Sequence, residues 1–262
     1  MNWFGRTLIG VASVTVAIVT PAAADHLRYD FDAGRLEYNV NGTDYQRYTD
    51  RSATTDLPCQ DVYDLPQLVD GTLRLRTGPS DRQSRSEFRL VHGEKNADIA
   101  PRIGQPFRYG FRFKWIGENP PRTGFALSQV WQRDGAGFIP LVIDVYRGRD
   151  SRNQLKVITK ASTSRDKPDR NPAAVCEVQS GTWYDVYVMG MPQPKGGDRP
   201  GYARVAVRRG EEIIGRAEIE AYWGKRPGGK TTDHFDVRMG IYRPGHEIAT
   251  EVFLDDCWYE NR

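Results

Sequence analysis

Arg85, Glu87 and Arg89 stand two residues apart in the segment RSEFRL, so on an extended strand their side chains share one face while Phe88 and Leu90 point to the other. A carboxylate between two guanidiniums at this spacing can orient both planes, and oriented guanidiniums are receptors for a second carboxylate. Phe235–Tyr242 (FDVRMGIY) splits the same way. Phe235, Val237, Met239 and Ile241 form an apolar set; Asp236, Arg238, Gly240 and Tyr242 oppose it, with His234 at their parity. In Phe125–Arg133 (FALSQVWQR), Gln129 and Trp131 share a face. Cations and an amide can stabilise negative charge developing on a carboxylate substrate, and a phenol can move a proton. Gly240, without a side chain, leaves a gap where a ligand could approach the backbone. Each row alone is equally compatible with a solvated sheet face.

The elements that must position these rows read as strands. Apolar residues recur with period 2 through Thr72–Thr77, Phe107–Ile116, Leu141–Tyr146, Gln154–Lys160, Trp183–Met189, Tyr202–Arg208, Glu212–Ile219 and Glu251–Tyr259. Clusters rich in Gly, Pro, Asp and Asn separate them, at Gly117–Gly124, Arg147–Asn153, Arg165–Pro172, Pro192–Gly201 and Trp223–Asp233. About a dozen strands with no helix beyond a turn or two predict an antiparallel sandwich or barrel. Pro192–Gly201 and Trp223–Lys230 read as rim loops of one domain, because strand patterns continue on both sides.

The chain of 262 residues carries 37 Lys and Arg against 34 Asp and Glu, a formal charge of +3. Of the charged residues only Arg6 precedes residue 25, leaving +2 beyond it, which gives no electrostatic basis for nucleic-acid binding. Arg6 followed by the uncharged run Thr7–Thr20, then Pro21 and the alanines 22–24, has the layout of a secretory signal peptide. Residues 1–24 are therefore expected to be removed, leaving 25–262 as a single exported domain, secreted or periplasmic, with no membrane attachment. Cys59, Cys176 and Cys257 allow at most one internal bridge, and their spacing matches neither a zinc site nor a redox pair.

RSEFR resembles the R-(S/T)-E-x-R motif of the jelly-roll polysaccharide lyases, a group that includes alginate, glucuronan and heparin-lyase-I-like enzymes. SQVW resembles their Q-(I/V)-H strand and RMGIY their K-x-G-x-Y strand, in the same chain order, over residues 70 to 260. The resemblance implies an all-β, concanavalin-like jelly-roll sandwich of two antiparallel sheets. It also implies a polysaccharide lyase that cleaves a uronate-containing acidic polymer by β-elimination, acting as a monomer. It assigns catalytic roles to Tyr242, Gln129 and Arg89, and substrate contacts to Arg85, Glu87, Trp131 and Arg238. No cofactor is required for that chemistry, and a structural calcium ion on loop carboxylates fits the fold.

Two positions depart from the pattern. Trp131 stands where the motif has histidine and Arg238 where it has lysine. The first removes the usual base, so another histidine substitutes, tyrosine performs both proton transfers, or the protein binds sugar without cleaving it. Of His26, His92, His234 and His246, the strongest catalytic candidate is His92, then His234, which also counts as a substrate contact. His92 needs a bulge to reach the right face, since its parity is that of Phe88 and Leu90. Arg238 and Tyr242 lie about 13 Å apart along a strand, so any arginine acting on Tyr242 must come from a neighbouring strand. Arg108, Arg112 and Lys114 form a further cationic row that could extend a groove for a polyanion. A lectin-like jelly roll is the alternative; a glycoside hydrolase would need two facing carboxylates that no strand supplies, and no nucleophile elbow is present.

Overall fold

The computed structural model describes residues 26–29, 31, 35–40, 43–48, 66–79, 84–91, 93, 98–117, 120, 124–132, 138–162, 169–226, 233–243 and 249–261. The proposed signal segment, Cys59, His92 and His246 lie outside these residues. The strands, in chain order, are β1 (His26–Tyr29), β2 (Arg35–Val40), β3 (Thr43–Tyr48), β4 (Gln67–Val69), β5 (Thr72–Thr77) and β6 (Ser84–Val91). Then come β7 (Phe107–Ile116), β8 (Phe125–Gln132), β9 (Phe138–Arg147), β10 (Asn153–Ser162), β11 (Asp169–Glu177) and β12 (Tyr184–Met191). The last are β13 (Gly201–Arg209), β14 (Glu212–Ala221), β15 (Gly224–Lys225), β16 (Phe235–Arg243) and β17 (Thr250–Asn261). Among the described residues there is no helix, and so none long and apolar enough to cross a membrane.

These strands form two sheets, a β-jelly-roll sandwich. One runs β14-β13-β12-β7-β17-β5-β4, with β1 on β17; the other runs β11-β10-β9-β8-β16-β6-β2-β3, with β15 on β10. All pairings but β10 with β15 are antiparallel. Period-2 patterning drives the stacking. β7 turns Phe107, Tyr109, Phe111, Phe113 and Trp115 inward, and β16 answers with Phe235, Val237, Met239 and Ile241 from the other sheet. Trp115 and Phe125 meet edge to face across the core at 6.2 Å. The one inward hydroxyl of this part of β8, Ser128, donates to the Tyr109 hydroxyl at 3.0 Å, so neither is buried unpaired.

One reading from the sequence needs correction. Residues 165–172 were expected to separate strands, yet β11 begins at Asp169 and runs through Pro172. Among the described residues of its sheet β11 pairs with β10 alone, and an edge strand tolerates both a proline and exposed charge. Cys176 and Cys257 lie in different sheets as free thiols, so they do not bridge each other; burial pushes the Cys176 thiol up to about 11.

Candidate active site

β8, β16 and β6 are adjacent strands of the nine-stranded sheet, and their register assembles the three sequence rows on its outer face. Arg238 pairs with Arg89 on one side and Gln129 on the other, giving a cross-strand row Arg89–Arg238–Gln129 about 10 Å long. Tyr242 pairs with Arg85 and with Ala126, Gly240 with Glu87, and Asp236 with Trp131. Seven of the nine residues singled out from the sequence therefore lie on one surface across three strands.

The charges on that surface are buried and cross-braced. Asp236 is fully buried, with Arg238 Nη2 at 2.9 Å and Arg89 Nε at 3.4 Å from its Oδ2, while its Oδ1 accepts the Gly93 amide at 2.7 Å. Glu87 Oε2 lies 3.3 Å from Arg85 Nε. Burial raises the Glu87 carboxyl above its ordinary value against the pull of Arg85, Arg238 and Arg89, and burial lowers the Arg238 guanidinium. Three guanidiniums, Arg85, Arg89 and Arg238, face two carboxylates, Glu87 and Asp236. Among the described residues the cluster therefore counts one more guanidinium than carboxylate. Beside it the Gln129 amide is fully buried, and among the described residues neither its Oε1 nor its Nε2 has a partner. Such an amide costs stability unless something else completes it. Asp236, the hub of the cluster, was seen in the sequence only as a member of the polar face; its parity with Arg238 was the available signal.

Aromatic rings interleave with the guanidiniums. The Arg85 Cζ lies 4.7 Å from the Tyr242 ring centroid and 4.9 Å from that of Trp131, and the Arg238 Cζ lies 4.3 Å from Trp131. Trp131 thus fills the histidine position by holding two cations. Arg85 is the neighbouring-strand arginine that Tyr242 required. It favours the tyrosinate, but burial is the larger effect and the Tyr242 hydroxyl stays above its ordinary value. Tyr242 rests protonated.

Gly240 serves a different purpose from the one expected. A Cβ there would sit 2.3 Å from the Ser86 carbonyl oxygen and 2.7 Å from the Glu87 Cα, and its φ is +139°. The space is taken by β6, and the glycine permits the register shift between Met239 and Tyr242 against β8. A second bulge falls between Val237 and Arg238 against β6, where Val91 pairs with Val237 and Arg89 with Arg238. This is the parity reversal that the sequence reading required after Leu90, although His92 itself is outside the described residues. His234 does not join Tyr242: eight residues of strand, about 26 Å, separate them, and its Nδ1 binds Asp233 Oδ1 at 2.8 Å.

The same outer face continues onto β9 and β10. There Asp144 and Lys156 pair at 3.6 Å, and Lys156 Nζ lies 4.0 Å from the Tyr146 ring centroid. Burial raises the Asp144 carboxyl and lowers Lys160. The row Arg108, Arg112 and Lys114 does not extend this groove. β7 belongs to the other sheet, and these side chains face away from the site. Arg108 pairs with Glu260, and Arg112 with Asp185 at 4.0 Å and Asp255 at 3.9 Å. Among the described residues no three His, Cys, Asp or Glu side chains converge as a metal site.

No family model matches the sequence, and no curated protein matches it. Solved structures do. An alginate lyase from Klebsiella pneumoniae superposes with a TM-score of 0.57 at 9% identity, over 89% of this chain and 97% of that one. An alginate lyase from Pseudomonas aeruginosa gives 0.54 at 11% identity over 89% and 100%. The exolytic PL7 alginate lyase from Zobellia galactanivorans gives 0.54 at 9% over 86% and 94%. The chain has the fold of the jelly-roll polysaccharide lyases. At these identities the likeness is one of architecture, and the chemistry rests on the residues. A further enzyme of this fold, alginate lyase A1-II′, 13% identical with a TM-score of 0.56, was crystallised with product after replacement of a tyrosine by phenylalanine.

Proposed function

We propose that the protein is an exported polysaccharide lyase acting on a uronate polymer, with its signal segment cleaved before Asp25. The observation that carries the reading is the Gln129 amide, unpartnered among the described residues, beside Arg89 and Arg238 in a buried cluster that counts there one more guanidinium than carboxylate. A uronate carboxylate seated there would complete the amide and neutralise the surplus. Elimination removes the C5 proton, forms the C4–C5 double bond and expels the O4 leaving group. The C5 proton becomes acidic only when charge flowing onto the carboxylate is stabilised. Arg89, Arg238 and Gln129 supply that stabilisation, and Tyr242, resting protonated, donates to the leaving oxygen. The proton from C5 goes either to the Tyr242 oxygen once its hydroxyl has ionised with the help of Arg85, the same oxygen then passing that proton to the leaving O4, or to His92, with protonated Tyr242 supplying the proton for O4. The pH dependence of turnover separates these: a histidine base gives an acid limb near the ordinary histidine value of about 6.5, a tyrosinate base one above the ordinary tyrosine value, because burial raises the Tyr242 hydroxyl.

The fold is shared with enzymes named as alginate lyases, so alginate is the first polymer to offer, followed by glucuronan and heparin-type chains. Purified mature protein should release unsaturated product, read as ultraviolet absorbance of the new double bond. Trp131 in the histidine position favours a second reading, a binding protein on the same site. Retention on the acidic polymer with no unsaturated product would select it, and neither retention nor product would overturn both.

A further inference from the structure

The eight-stranded sheet carries an aromatic platform on its outer face, far from the cluster around Arg238. A bulge in β17 falls between Asp255 and Trp258, where the pairing with β7 slips, and Asp256 adopts a φ of +47°. A non-glycine residue in the left-handed region is a local cost, and such bulges re-aim the side chains that follow. Here the bulge turns Cys257 and Tyr259 into the core and Trp258 outward. The indole then lies flat on β7: a Cβ on Gly110 would sit 2.5 Å from its Cε2 and Nε1. Across the sheet the row reads Trp258–Gly110–Tyr187–Ala206–Arg216. The indole fills the room that Gly110 leaves on one side of Tyr187, and Ala206 leaves space on the other; Tyr187 is 37% exposed, and its ring centroid lies 6.3 Å from that of Trp258. Two depressions result, of about 460 and 430 Å³, both bordered by Tyr187 and Trp258. Their size falls within the range of small-ligand sites, about 300–1,000 Å³.

The rim chemistry selects the occupant. Five arginines (28, 108, 112, 204 and 216) and four carboxylates (Asp185, Glu218, Asp256 and Glu260) line the two depressions. Most are already matched: Arg28 meets Asp256 at 3.0 Å, Arg204 meets Glu218 at 2.7 Å, and Arg108 pairs with Glu260. Matched ion pairs have no strong claim on a polyanion, but their outward oxygens and N–H groups can bond hydroxyls. Flat aromatic faces take the C–H faces of pyranose rings. We infer that this face binds a neutral pyranose chain laid across Trp258 and Tyr187. The surface is independent of the elimination site, so a protein occupied here keeps its other sheet open.

The test is calorimetric titration of full-length mature protein with cellohexaose, β-1,4-mannohexaose and xylohexaose, and with hexaguluronate as the anionic comparison. At least one neutral hexasaccharide should bind. Trp258→Ala and Tyr187→Ala should weaken it about tenfold or more. Ala206→Arg, which fills one depression and leaves both rings and the core in place, should weaken it too, so the result stands even if Trp258→Ala fails to fold. Arg89→Ala, on the other sheet, should leave neutral-sugar affinity unchanged. The inference is overturned if no neutral hexasaccharide binds, if binding survives all three substitutions, or if these substitutions abolish hexaguluronate binding alone.

Discussion

Asp236 is fully buried between Arg89 and Arg238 on the outer face of one sheet; on the outer face of the other, Arg28 and Asp256 meet at 3.0 Å with more than half of each side chain in water. Residue types and the alternating pattern are the same in both places. The difference is desolvation. A cluster that, among the described residues, sets three guanidiniums against two carboxylates cannot relax its charge into solvent, and this is why the proposed function seats a uronate there. The exposed pairs on the far face are screened and nearly balanced, and what stands out there is the aromatic row between them. Ion pairs become chemistry where water is excluded from them.

The sharpest way to break this contrast is to remove the hub. Asp236→Ala leaves two guanidiniums uncompensated and should cost about 3–5 kcal/mol in urea unfolding. A loss no greater than that of a surface pair would mean that the cluster is effectively solvated. Gly240→Ala should cost about 1–3 kcal/mol by the same measurement, because its Cβ meets the Ser86 carbonyl and its φ of +139° suits only glycine. The shift of Glu87 gives a signed pH effect. Its folded value is raised, so its contribution to stability is fully present below the ordinary value of 4.5 and is lost as pH rises through the folded value. Relative to Glu87→Gln, the Tm of the native protein should therefore decline as pH rises from 4.5 toward neutrality; a parallel pair of Tm curves would refute the burial argument. Smallest of all is the far face: Arg204→Ala, which breaks the exposed pair with Glu218, should leave Tm unchanged within error.

Much of the frame was legible. β5 and β7 have the bounds that their alternation indicates, since clean period-2 patterns carry their own ends. The parity of Arg85, Glu87 and Arg89, of Arg238 and Tyr242, and of Gln129 and Trp131 put the site residues on one side of each strand. Which sheet a strand joins was not legible. The alternating cations of β7 and β6 look alike as sequence, and only pairing separates them into opposite faces. Bulges were equally hidden: those beside Arg238 and before Trp258 re-phase a strand, while period-2 reading assumes no slip. The role of Trp131 followed from neither, because its two cation contacts come from strands β6 and β16. Asp236 shows the same limit, since burial and partnership arise only on assembly.

Tyr242→Phe tests the proposed elimination most directly, because it removes one hydroxyl and keeps the ring against Arg85. On a polymer that the native protein cleaves, release of unsaturated product should fall by about 10²–10⁴-fold, while affinity for the polymer changes by roughly 1 kcal/mol or less. A Tyr242→Phe protein that cleaves at the native rate would contradict the account and move the proton transfer to another group.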